Sequence, residues 1–114
     1  MLDTPEKTTR LMVALKAAVP FEVELLPSTL TRMRELSPDV PISSKEMVFD
    51  VTYEPRHGGI ICLIRPGGSG NLVATSLTHV RVHPRADFAR AVDDYQKHRL
   101  KKIRHKRAQR FNTI

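Results

Sequence analysis

The chain has one cysteine, Cys62, no tryptophan and only six aromatic residues. A lone cysteine excludes an intramolecular disulfide. With so few aromatics the core must be aliphatic and small. A platform of rings on which unpaired bases could stack is missing as well. Apolar runs are short: residues 60–64 suit a buried strand, and nothing approaches the roughly 20 residues that cross a bilayer. Asp3 and Glu6 precede any apolar stretch, unlike the charged-then-apolar plan of a secretory signal, so a cytoplasmic protein with no membrane partner is expected. The sharpest absence is of carboxylates at one end. Residues 97–114 contain eight Lys or Arg and no Asp or Glu.

That absence decides where the charge lies. The formal charge of +7 comes from nineteen basic and twelve acidic side chains. Residues 1–96 hold eleven and twelve of these, a net of −1. The positive field is therefore built by the carboxyl end alone, and such a segregated block implies a negatively charged partner.

At 114 residues, 40% of them apolar, there is room for one core. Asp3 or Thr4 can cap a first helix that Pro5 enters and Pro20 stops, with Leu11, Leu15 and Ala18 at helical spacing. The alternation of Phe21, Val23 and Leu25 with Glu22 and Glu24 predicts a strand. Pro27, Ser28 and Thr29 offer a cap for a brief second helix striped by Leu30, Met33 and Leu36. The alternation of Met47, Phe49, Val51 and Tyr53 predicts a half-buried strand with those four on its inner face. A turn through Gly58 and Gly59 leads into the apolar strand 60–64. A third strand is expected over residues 72–82, with a bulge near Ser76 and with His79, Arg81 and His83 facing outward. Pro84 should open the last helix, with Asp87 in its first turn and Phe88, Val92 and Tyr95 on its inner face.

The expected fold is thus α+β: an antiparallel meander of three or four strands, helices packed on one face, and a long basic C-terminal helix. Residues 1–96 would form the compact domain, and 97–114 a basic extension. A helix running from Pro84 to residue 109 would be about 39 Å long, three times the radius of gyration of about 13 Å expected for this chain length. Its basic half should overhang the body.

The basic residues of that half, Lys97, Arg99, Lys101, Lys102, Arg104, Lys106, Arg107 and Arg110, surround the helix and suit a phosphate backbone, whose field is independent of sequence. Helix-dipole and i,i+4 effects, such as Asp93 with Lys97, account for about three of them. RNA or ribonucleoprotein is favoured over duplex DNA, because no recognition helix or dimer signature is present. An acidic protein, or a second copy bound through Leu100 and Ile103, is the alternative partner.

Other chemistry is thin. His79 and His83 would lie about 13 Å apart on a strand, too far to share a metal ion, so no metal and no cofactor is expected. Cys62 sits in an apolar run and should be buried and inert. The Gly67–Gly68–Ser69–Gly70 stretch leads into a strand rather than a helix, which argues against a phosphate loop. His57 with Arg56, and Glu54 nearby, is the only catalytic candidate, a His/Arg ribonuclease site ranked last. The inferred order of elements resembles, in topology alone, the small RelE-like messenger-RNA-cleaving toxins, and no residue is carried over from them. The reading is a non-catalytic binding module.

Overall fold

The computed structural model describes residues 5–68 and 70–112. The side chains of residues 68, 102 and 104–112 lie outside the described residues, as do Asp3 and Thr4, the expected caps. The elements in chain order are α1 (Pro5–Ala18), β1 (Phe21–Leu25), α2 (Pro27–Leu36), β2 (Lys45–Glu54), β3 (Gly59–Ile64), β4 (Val73–Ser76), β5 (Val80–Val82) and α3 (Ala89–Asn112). Short 3₁₀ turns occupy Pro66–Gly68 and Leu77–His79.

The fold is α+β, with three helices and one antiparallel sheet of five strands in the order β4-β3-β2-β1-β5. The expectation of three or four strands is corrected here. The extra strand comes from a break in the segment expected to be continuous. At Ser76 the chain leaves β4, makes a 3₁₀ turn over three residues, and re-enters the sheet as β5 beside β1. Ser76 makes the break itself: its Oγ accepts the Thr78 N–H at 3.2 Å, capping the turn.

That connection also shapes the sheet. In a flat sheet β4 and β5 would be about 19 Å apart, four strand spacings. A 3₁₀ turn of three residues advances about 6 Å. The sheet must therefore coil until its two edges approach each other. The inner side of the coil holds Phe21, Val23 and Leu25 of β1, Ile60, Cys62 and Ile64 of β3, and Val80 of β5, all buried. Leu11 and Leu15 of α1, Met33 of α2 and Val92 of α3 complete this core. Each such side chain contributes about 1.5–3 kcal/mol by leaving water.

Strand β2 departs from simple alternation. Its pairing with β3 shifts between Val48 and Asp50, so Phe49 is an extra residue in the ladder. Before the bulge the even position faces in: Val48 is fully buried and Met47 is 47% exposed. After it the odd positions face in, with Val51 1% exposed. Met47 and Phe49 therefore do not join Val51 and Tyr53 on the inner face as expected. Phe49 instead lies under the Arg65 guanidinium, 4.6 Å from ring centroid to Cζ.

Two helix starts differ from expectation. Helix α2 begins at Pro27 with Leu26 at its cap and no side-chain cap bond, so Ser28 and Thr29 fall inside its first turn. Pro84 does not open α3. It occupies a turn closed by Ala86 N–H to His83 O at 3.0 Å, a second turn brings Ala89 N–H to Ala86 O at 2.9 Å, and the helix starts there. His83 holds the first turn by accepting the Arg85 N–H on Nδ1 at 3.0 Å.

Candidate functional site

Helix α3 is seated by Val92 in the core, with Phe88 and Tyr95 packed against it as expected, and by polar contacts to backbone. Gln96 donates from Nε2 to both Leu77 O and Val80 O at 2.7 Å, gripping the 3₁₀ turn and the start of β5. The Tyr95 hydroxyl accepts the Ile60 N–H at 2.9 Å. Arg99 is only 4% exposed. A Cβ on Gly59 would lie 2.7 Å from its Nη1 and 2.9 Å from its Cζ, and would collide with the Tyr95 hydroxyl. Gly59 thus provides the flat backbone on which Tyr95 and Arg99 rest.

Arg99 faces the body, and its guanidinium serves the docking of α3. The docked part of the helix continues at least to Arg99. Lys97 is exposed and bonded to Asp93 at 2.9 Å, an i,i+4 pair that raises its ammonium pKa above the ordinary value by hydrogen bond and charge. Lys101 is exposed. The side chains of Lys102, Arg104, Lys106, Arg107 and Arg110 lie outside the described residues. Leu100 is 39% exposed whereas Ile103 is partly buried, so the two do not form one outward stripe.

Other basic side chains beside the sheet are dispersed. Arg81 lies across from Glu24, 3.8 Å away. Arg65 is committed to Phe49, and His83 to its turn. A cleft of about 390 Å³ between α1 and α3 has Lys7 and Arg10 on one wall and Asp87 and Asp94 on the other. Its charges balance, so it adds nothing to a polyanion surface.

One grouping was not apparent in the sequence. A crevice of about 660 Å³ brings His57 and Glu54 of the β2–β3 turn together with His79 of the 3₁₀ turn and Arg32 of α2. Arg56, the expected neighbour of His57, is not among its lining residues. No local pattern links positions 32, 57 and 79. The coiling of the sheet does, by carrying the β4–β5 corner beside the turn.

Burial pushes the Cys62 thiol from 9.0 up to about 12, as expected for an inert cysteine. Among the described residues no group of three or more His, Cys, Asp or Glu could hold a metal ion, and no helix is long and apolar enough to cross a membrane. No family model, no curated protein and no solved structure matches this chain.

Proposed function

We propose that the chain is a non-catalytic binding module that docks to nucleic acid, RNA before duplex DNA, through the basic end of α3 as an arm. The observation that carries this reading is the segregation of charge: eight cations and no carboxylate in residues 97–114, against a net of −1 in the rest. The docking of α3 supports it. Its cations divide between one that anchors the helix, Arg99, and those that follow. Arg99 is buried and Lys97 is bonded to Asp93, and we assign phosphate contact to the other six of the set, Lys101, Lys102, Arg104, Lys106, Arg107 and Arg110. A helix of 24 residues is about 36 Å long.

Salt dependence tests this. Six neutralised phosphates give a slope of log affinity against log salt of about −4 for a single strand and about −5 for duplex DNA. Replacing the six with Gln should flatten that slope toward zero while leaving the melting temperature unchanged. A slope that persists in the six-fold variant would refute the arm as the binding element.

A further inference from the structure

The crevice beside the β2–β3 turn is built from three segments distant in sequence and tied together by hydrogen bonds. Ser76 Oγ donates to Gly58 O at 2.7 Å, fastening β4 to the turn. Leu26 N–H donates to His79 O at 3.2 Å, fastening the base of α2 to the 3₁₀ turn. His57 N–H donates to Glu54 O at 3.1 Å and closes the β2–β3 turn. The backbone beneath His57, His79 and Arg32 is thus cross-braced, while all three side chains are exposed to solvent at the mouth.

We infer that this crevice is a phosphate-ester site, in which one phosphate group sits among Arg32, His57 and His79. Three nitrogen donors carried on three separate elements suit an oxyanion with three or four oxygens better than a planar carboxylate. The guanidinium fork can take two oxygens at once. Ser28, Thr29 and Thr75 add hydroxyl donors along the lining. Met33 and Ile61, both buried or nearly so, form an apolar floor that keeps these groups from collapsing onto one another.

The ionisable groups of the crevice are Arg32 from α2, Glu54 and His57 from the turn, and His79 from the 3₁₀ segment. None of this depends on the arm, so the site holds whether or not the arm meets nucleic acid.

The test is an NMR titration of the imidazole signals of the full chain at pH 6. The probes are inorganic phosphate, a nucleoside 5′-monophosphate and a dinucleoside phosphodiester without terminal phosphates. The His57 and His79 signals should move together along one saturation curve. Arg32→Gln should weaken it about tenfold, as expected for loss of a charge-assisted bond. Saturation by the phosphodiester identifies a nucleic-acid backbone as the source, and saturation by the other two alone identifies a terminal or free phosphate. Arm binding would move His98 and spare His57 and His79, so the two proposals fail separately. If neither His57 nor His79 moves with any probe at pH 6, or if Arg32→Gln titrates like the parent, the site does not exist.

Discussion

Gly59→Ala tests how α3 is held. Gly59 has φ of +75°, a conformation that costs an L-residue about 1–2 kcal/mol. The added methyl would also lie 2.7 Å from Arg99 Nη1 and press on the Tyr95 hydroxyl. Tyr95 cannot retreat without releasing the Ile60 N–H, and an unpaired buried donor costs about 1–3 kcal/mol. The expected loss is therefore about 2–5 kcal/mol. In a domain of this size 1 kcal/mol moves the melting temperature by roughly 4 °C or more, so a fall of at least about 8 °C should appear in a thermal scan. Gly70→Ala is the control, because its Cβ would meet nothing within 4 Å. Amide exchange adds the local readout: the Ile60 N–H should lose protection in Gly59→Ala ahead of its neighbours in β3. A melting temperature within 2 °C of the parent, or an Ile60 amide that stays protected as the protein destabilises, would refute this account of the docking.

Three further outcomes follow from burial and charge. Arg99→Ala should destabilise by about 1–3 kcal/mol in urea and leave polyanion affinity nearly unchanged, while Lys101→Ala should do the reverse; equal effects of the two on stability would contradict the burial of Arg99. Val48→Ala should cost about 2 kcal/mol and Met47→Ala less than about 0.5, and the opposite order would place the bulge elsewhere in β2. Cys62 should resist a thiol reagent at pH 8 in the native protein and react fully in urea. Its folded pKa is raised, so the unfolded chain releases the thiol proton first as pH rises through 9, and stability should fall between pH 9 and about 12. A Cys62→Ala variant that keeps the same alkaline loss would assign that loss to another group.

Much of the fold was legible because local chemistry and tertiary structure agree in these segments. Strand β1 alternates Phe, Glu, Val, Glu, Leu, and its burial alternates with it from Phe21 to Leu25. Helix α1 ends at Ala18, two residues before Pro20. The tandem glycines that signal the β2–β3 turn both have positive φ. The failures share a different physics. A period-two pattern cannot reveal a bulge, since one inserted residue exchanges the inner and outer faces without changing composition, and so Met47 read as buried and Val48 as exposed. Nor could the pattern show that Ser76 would spend its hydroxyl on the Thr78 N–H and divert one strand into two.

The last helix makes the same point about function. Hydropathy counts Gln96 and Arg99 as wet, so neither joins the inner face expected from Phe88, Val92 and Tyr95. Beyond Val92 and Tyr95, which pack on the core, the seat of α3 is made of backbone acceptors and a bare glycine. Two carbonyls at the 3₁₀ turn need a donor, which Gln96 supplies, and Gly59 needs a flat group over it, which Arg99 supplies. Val92, Gln96 and Arg99 recur at the i+4 and i+3 spacing of a single helical face, so the docking stripe is there in the sequence once polar residues are allowed to count as buried. A cation in a charge block is therefore evidence for a polyanionic partner only after the acceptors of its own fold have been satisfied. By that criterion Arg99 belongs to the protein and Lys97 is shared with Asp93.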